Sequence, residues 1–523
     1  MLAARDTGRA QGRRPASVLY GPWAAHRVQP EISPSTSHGS HATPVIHPEV
    51  VSTTAASETA QFDLVVIGGG PGGYAAALYA ASAGMSVALV ERDTVGGTCL
   101  NRGCIPAKEF LETAAVYRHV GHASEFGINA GTPTIDFAVS QARKQRVVDT
   151  LVKGLSGLIK SRKIAYYQGT GSLFADRTVA VTSAGGNHVT LQGRHVVLAA
   201  GSVPRTIPGF DPAGPVMTSD EVLMLDKVPP RVVVIGGGAI GCEFASTFAD
   251  LGAKVTILEG LPKILPGCDT DCANVVVRSF KKKGIDIRTG VVVKGHTPDG
   301  NGATTVQFGD NDSIEVDAVV VSVGRRPYPD QLGLAGTGVK TSELGFVEVD
   351  AWCRTGEPGV YALGDLVNTP QLAHVAYAEA IVAVKDMLGE SPMPVQYDKV
   401  PWAIYCDPEV AFAGHSEESA QAAGIDVVVA KHQFRGNGRA LILGTPDGLV
   451  KVIARKNADG SAGTVIGVHM VGPWVTEQLS GGYLAVNWEA SVNELSELIM
   501  PHPSLTELFG ETVLSLTGRS LNT

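Results

Sequence analysis

FDLVVIGGGPGGYAAALYAASAGMSVALVE, residues 62–91, decides the fold. Leu64–Ile67 is a short unbroken apolar run, the pattern of a strand covered on both faces in a parallel sheet. Gly68, Gly70 and Gly73 follow as G-x-G-x-x-G. A helix of small residues comes next, with Gly84 placed to stop it, and a second strand, VALVE, ends on Glu91. Each part has a task at a dinucleotide. The glycines allow a tight turn, close approach to a pyrophosphate and close helix–strand contact. The helix start offers free N–H groups and a positive dipole to phosphate, and Glu91 is placed to hydrogen-bond a ribose 2′-hydroxyl.

The same unit recurs at 232–259, VVVIGGGAIGCEFASTFADLGAKVTILE, with Gly236, Gly238, Gly241 and Glu259. First glycine and acid are 23 residues apart in both units (91 − 68 and 259 − 236). One such motif is often a mere glycine-rich turn; two complete copies with equal spacing point to two dinucleotide sites and a relay between them. Glu259 suits the free 2′-hydroxyl of NAD and repels the 2′-phosphate of NADP. Lys263 lies close by in sequence, but Pro262 intervenes, so NAD is expected.

The chain has 523 residues, 44% hydrophobic and 18% charged, an ordinary globular balance. That length predicts about three or four domains. The net charge of −9 argues against a nucleic-acid partner. No apolar run reaches the ~18 residues of a membrane span. Seven cysteines are too few, and odd in number, for a secreted disulfide framework, which points to a reducing compartment. Residues 1–60 stand apart: Arg5, Arg9, Arg13, Arg14 and Arg27 face only Asp6 in the first thirty residues. They read as an extension outside the fold, with an organelle transit peptide as the alternative; no apolar segment supports a secretory signal.

Between the two glycine units lies GGTCLNRGCIPAK, 96–108, with Cys99 and Cys104. On a regular helix such a pair stands about 140° apart, and Gly103 and Pro106 argue against regular helix. Zinc lacks partners, since the other close pair is Cys268–Cys272. The stretch alone leaves a structural staple and a working dithiol both open.

With two fingerprints flanking it, the chain resembles the flavin-dependent pyridine nucleotide–disulfide oxidoreductases from about residue 61 to 515. VLAAGS (197–202), VSVGRRP (321–327), VYALGD (360–365), LAHVAYAEA (372–380), VPWAIYCDPEVAFAGHSEE (400–418) and HPSLTE (502–507) follow in the family's order. The resemblance implies an α/β fold: two Rossmann-like dinucleotide-binding domains, for FAD and NAD, plus an α+β C-terminal dimerisation domain. The implied segments are 1–60 extension, 61–205 FAD-binding, 206–326 NAD-binding, 327–397 second FAD-binding and central part, and 398–523 dimerisation. FAD contacts fall to Gly68, Gly70, Gly73, Glu91, Lys108, Gly201, Asp365 on the ribityl chain, and Ala373 at a helix start facing the ring. NAD contacts fall to Gly236, Gly238, Gly241, Glu259 and Gly324. No metal is implied. A homodimer is, with each active site completed by the partner's last domain.

The same resemblance assigns roles. Cys99 is the interchange thiol and Cys104 the sulfur facing the flavin. His502 is the base, oriented by Glu507, while Lys108 and Glu243 pair beside the flavin in the nicotinamide's path. Two departures are Met500-Pro501-His502, where the family often has His-Ala-His, and Ala107, where Ser is common. CDTDC (268–272) reads as a connection into a helix, Cys242, Cys353 and Cys406 as packing residues, and His469 as strand core. NADPH-linked members want basic residues near 259, and mercuric and large thioredoxin reductases carry a C-terminal cysteine pair, whereas this chain ends SLTGRSLNT. The remaining branch oxidises dihydrolipoyl groups and reduces NAD; a glutathione- or mercuric-reductase-like activity is the alternative. Implied partners are lipoyl domains and the core acyltransferase of 2-oxoacid dehydrogenase complexes, or a lipoylated glycine-cleavage protein. The expected location is bacterial cytoplasm, or an organelle matrix if the leader is a transit peptide.

Overall fold

Leu64, Val65 and Val66 expose nothing and Ile67 4%, because strand β1 (Ala60–Ile67) runs through the middle of a sheet covered on both faces. The structure, a computed structural model, describes residues 59–522; all but the last two positions of the leading extension lie outside them. β1 pairs in parallel with β2 (Val87–Glu91) on one side and with His188–Leu198 on the other. Ala165–Gln168 continues the parallel set beyond β2. The far edge of His188–Leu198 is shared. Its first half pairs antiparallel with Thr178–Thr182, which pairs with Thr170–Leu173; its second half pairs in parallel with Val360–Ala362.

α1 (Pro71–Ser82) springs directly from the glycine turn, with proline at its first position, where the missing N–H costs nothing. α2 (Gly97–Arg102) and α3 (Cys104–Gly121) carry one cysteine each and meet at Gly103. α4 (Phe137–Ser161) buries Val148, Val152, Leu155 and Ile159, a helical stripe. Asp136 caps it by accepting from the Val139 N–H.

After the short α5 (Ser219–Val222) comes the second sheet, all parallel. Its order is Asp286–Thr289, Lys254–Glu259, Arg231–Ile235, Ala318–Val321, Val216–Met217. α6 (Ala239–Asp250) springs from the second glycine turn and α7 (Thr270–Lys282) follows. The chain leaves for this domain through Ser202–Pro204 and returns through Arg325–Pro327, two strands paired antiparallel to each other. α8 (Ala373–Met387) then packs on α1 in the first domain. The small residues Ala76, Ala77 and Ala80 of α1, all fully buried, let it come close.

The last domain is a five-stranded antiparallel sheet, ordered Trp402–Ile404, Glu409–Gly414, Ala462–Gly472, Leu449–Lys456, Val427–Gln433. Helices Val475–Asn487 and Glu507–Ser515 belong to it. It leaves Leu484, Trp488, Leu498 and Ile499 exposed, Ile499 to 97%, large apolar side chains of the kind that mark a protein-contact surface. Among the described residues no helix is long and apolar enough to cross a membrane.

Candidate active site

Gly68 has φ 109° and Gly236 107°, a region that side chains resist. A Cβ on Gly68 would stand 2.2 Å from the Ala199 carbonyl oxygen, and one on Gly236 2.3 Å from that of Ser322. Gly73 and Gly241 are held tighter still: a Cβ would lie 1.8 Å from Gly68 O and 2.0 Å from Gly236 O. Only glycine lets each helix start so close to its turn. The acids are aimed by backbone. Gly69 N–H donates to Glu91 Oε2 (2.6 Å) and Asp93 N–H to Oε1 (2.8 Å). Gly237 N–H donates to Glu259 Oε2 (2.5 Å) and Leu261 N–H to Oε1 (2.7 Å). Each carboxylate keeps lone pairs for a ribose hydroxyl. Lys263 turns away from Glu259, its Nζ donating to Thr270 Oγ1 (2.8 Å) and the Cys268 carbonyl (3.4 Å).

A cavity of about 680 Å³ joins the two units. Gly70, Glu91, Cys99, Cys104 and Lys108 line it from the first unit and its cysteine helices. Gly201, Asp365 and Ala373 line it from the later parts of the first domain, and Gly238, Glu243 and Gly324 from the second. Gly68, Gly73, Gly236, Gly241 and Glu259 are not in its lining, nor are His502 and Glu507. The lining fits a flavin dinucleotide: a side-chain-free turn for the pyrophosphate, and fixed carboxylates for sugar hydroxyls. Asp365 is held for that task, its Oδ2 accepting from Ser202 Oγ (2.5 Å), which accepts from Arg325 Nε (2.7 Å).

The cysteines sit on either side of a helix break. Gly103, at φ −144° and ψ −112°, ends α2 and starts α3, and Pro106 falls in the first turn of α3, where it is tolerated. Both are free thiols. Their mutual interaction raises the Cys99 thiol and lowers Cys104 to about 7; Lys108 adds to the lowering against the opposing effect of burial. Of the two, Cys104 is the one favoured as thiolate. Lys108 Nζ donates to both Glu243 oxygens (2.9 and 2.8 Å) and stands over the Tyr405 ring, 5.0 Å from its centroid. Burial works against the lysine's charge, but Glu243 outweighs it and holds the ammonium above the ordinary range.

His502 Nδ1 bonds Glu507 Oε1 at 2.7 Å, and the imidazole side chain is 81% exposed. Glu507 also accepts from the Ser504 N–H (2.7 Å). Burial pushes this carboxyl up, but Ser504 and His502 bring it below the usual range. Within one chain this pair and the cysteine cavity are separate.

Sequence reasoning passed over several residues that shape the site. Ser202 and Arg325 stand inside two of the quoted motifs, where their polar side chains were the available signal. Glu379, a lone acid in LAHVAYAEA, exposes nothing and accepts from Gly364 N–H (2.7 Å), Thr369 Oγ1 (2.7 Å) and Tyr397 OH (3.0 Å). It thereby props the turn that carries Asp365. Tyr74 and Tyr377 join α1 to α8 through their hydroxyls. Elsewhere, Cys268 and Cys272 are 3% and 0% exposed at the start of α7. Beside them Lys451 bridges Asp269 (3.0 Å), Asp271 (2.9 Å) and Glu417 (2.7 Å), tying the second domain to the last. Cys242, Cys353 and Cys406 are buried, and His469 stacks on Phe412 within the last sheet. Among the described residues no three His, Cys, Asp or Glu side chains gather as a metal site.

Comparison with known proteins agrees with this geometry. Residues 62–380 match the family model "Pyridine nucleotide-disulphide oxidoreductase", and residues 400–513 its dimerisation domain, which supports a homodimer. Dihydrolipoyl dehydrogenase of Bacillus subtilis is 38% identical over 475 residues, covering 88% of this chain and 99% of the relative. That of Geobacillus stearothermophilus is 39% identical over 462 residues, covering 88% and 97%. The crystal structure of LpdA from Mycobacterium tuberculosis superposes with a TM-score of 0.82 at 26% identity, covering 88% of this chain and all of that one. Twin glycine cradles, a pair of free thiols in the cavity between them and matches along nearly the whole described chain agree: it belongs to the pyridine nucleotide-disulphide oxidoreductases, a family of flavoenzymes using FAD and NAD.

Proposed function

We propose that the chain is an FAD-dependent dihydrolipoyl dehydrogenase, which oxidises dihydrolipoyl groups and reduces NAD to NADH. The observation that carries this is the Cys99–Cys104 dithiol, one thiol on each side of the helix break at Gly103, in a cavity that reaches both cradles. The curated relatives named dihydrolipoyl dehydrogenase support the substrate. Bound in the first cradle, FAD supplies a two-electron relay between dithiol and nicotinamide.

The residues divide the rest of the work. A substrate thiolate attacks Cys99 Sγ of the oxidised pair, and Cys104 leaves as thiolate, the easier leaving group because its pKa is low. The second substrate thiol displaces Cys99, closing the cyclic disulfide and leaving both cysteines reduced. His502 takes the protons, its ring set by Glu507. Since the ring and the cavity are separate within one chain, His502 of the partner subunit serves each dithiol. Lys108 and Glu243 hold opposite charges beside the nicotinamide's path, and Glu259 selects NAD. Segments 61–205 and 327–397 form the FAD part, 206–326 the NAD part and 398–523 the dimerisation part; the pairing of Val360–Ala362 into the first sheet supports this division. Lipoylated 2-oxoacid dehydrogenase or glycine-cleavage components in the cytoplasm complete the reading, in line with the bacterial relatives.

The test is a paired assay on the purified, FAD-loaded homodimer. Fast NAD reduction by dihydrolipoamide, with NADP far slower, is the expected result. Turnover only with NADPH and glutathione disulfide overturns the dihydrolipoyl assignment and the role of Glu259 together.

A further inference from the structure

Helices α3 and α6 both start at the cavity, and Phe110 and Ala114 of one share an apolar core with Ala245 and Phe248 of the other. Near their starts they are tied by Lys108 and Glu243. A second tie lies near their far ends, among residues with no part in the chemistry above. Arg118 Nη1 donates to Asp250 Oδ2 (2.5 Å), and its Nη2 lies 3.3 Å from Asp407 Oδ1. Lys283 Nζ donates to both Asp250 oxygens (2.8 and 3.0 Å) and lies 2.6 Å from Asp407 Oδ2. Two cations and two carboxylates alternate in a closed ring.

The ring draws on three parts of the molecule: α3, the second domain at the ends of α6 and α7, and the turn between the first two strands of the last sheet. That segment grips α6 twice more, through Tyr405 N–H on Glu243 Oε1 (2.9 Å) and Asp407 N–H on Ser246 Oγ (3.0 Å). The Asp250 side chain is 6% exposed. At such a site salt screens little, and deleting one partner is felt strongly.

We propose that Arg118, Asp250, Lys283 and Asp407 are positioning residues: their ring fixes α6 against α3 and so sets where Glu243 meets Lys108 in the nicotinamide's path. This rests on the role given above to the Lys108–Glu243 pair. Cys99, Cys104 and His502 all lie off α6, so loosening the ring weakens the nucleotide half of the reaction and spares the thiol half.

The experiment uses the full-length homodimer with Asp250→Asn, Lys283→Met and Lys283→Arg, and Glu243→Gln as control. Amide hydrogen exchange over 239–250 is read with FAD present and after its removal; Asp250→Asn and Lys283→Met are expected to speed it along the whole helix, and Lys283→Arg to stay near native. Rapid mixing separates the half-reactions. Reoxidation of reduced enzyme by NAD is expected to slow about tenfold in the two loosened variants, with reduction by dihydrolipoamide changed less than about twofold. Exchange that quickens only at the helix end, or half-reactions that fall together or not at all, overturns the ring's role. Glu243→Gln slow with both ring variants silent sinks the ring alone; Glu243→Gln silent sinks the reading of the Lys108–Glu243 pair on which it rests. Should Asp250→Asn fail to hold FAD, Lys283→Met carries the test, since Arg118 still neutralises Asp250.

Discussion

Gly70 and Gly238 cap their helices with the same backbone, φ −73° with ψ −175° and −174°. Yet a Cβ on Gly70 would meet Gly97 Cα at 3.9 Å, whereas one on Gly238 would meet nothing within 4 Å. The first cradle is roofed by α2, and Leu363 presses on the helix beside it, 2.3 Å from where a Cβ on Gly72 would stand. The second is open. Two clasps of the same local design thus differ in their cover at the helix start, and slower release of the dinucleotide held under α2 is the expected consequence.

Gly97→Val breaks the comparison most completely. Gly97 has φ 58°, and its Cβ would stand 2.6 Å from Gly70 Cα, so the roof must lift; the expected product has no flavin absorbance and no turnover. Gly238→Ala, by contrast, keeps its flavin and raises KM for NAD by about tenfold, read by steady-state kinetics. Cys104→Ser is next: dihydrolipoamide turnover falls by at least about 10³-fold, while flavin absorbance and NADH titration show both cradles intact. His502→Gln costs about 10²–10⁴-fold. Mixing His502→Gln with Cys99→Ser subunits restores activity in hybrid dimers, each of which holds one complete site; unrestored activity removes the shared-site reading.

A smaller effect is set by pH. Cys104 is held low by its interaction with Cys99 and by Lys108, so its thiolate is expected above about 7 and is protonated as pH falls through that value. Electron delivery from the dithiol is expected to decline on that acid side, and Lys108→Met to move the midpoint up towards the ordinary thiol range. Rapid-mixing rates across pH check both. The smallest effects come from the paired acids. Glu259→Gln removes one charged acceptor and is expected to raise KM for NAD by about tenfold and to narrow the NAD/NADP gap. Glu91→Gln, under the roof, is expected to speed flavin loss on dilution without touching KM for NAD.

The cradles were legible because their geometry is local: the turn, the helix start and the aimed acid all lie within one 30-residue unit. The cysteine pair was half legible. Gly103 and Pro106 ruled against one regular helix, but not for two helices meeting at a single residue. The roof was not legible, since Gly70 and Gly97 meet through space with no periodicity to announce it. The same holds for Ser202, Arg325 and Asp365, which form one hydrogen-bonded chain from three segments. The ring of Arg118, Asp250, Lys283 and Asp407 is the extreme case, four ordinary charges given meaning only by packing. His502 was chosen from a motif alone; its exposure within one chain shows why no contact pattern could have found it.

The paired crossing strands, Ser202–Pro204 and Arg325–Pro327, also govern how the chain can assemble. Strand His188–Leu198 must find Val360–Ala362 across roughly 160 residues, a separation that a folding chain closes at an entropic cost growing with its logarithm. Once the second domain has formed its own sheet and the ribbon is shut, the intervening path shrinks to about forty residues, two halvings that recover about 1.2 kcal/mol. Prior folding of the inserted domain thus lowers the entropic cost of adding the strand that completes the first sheet.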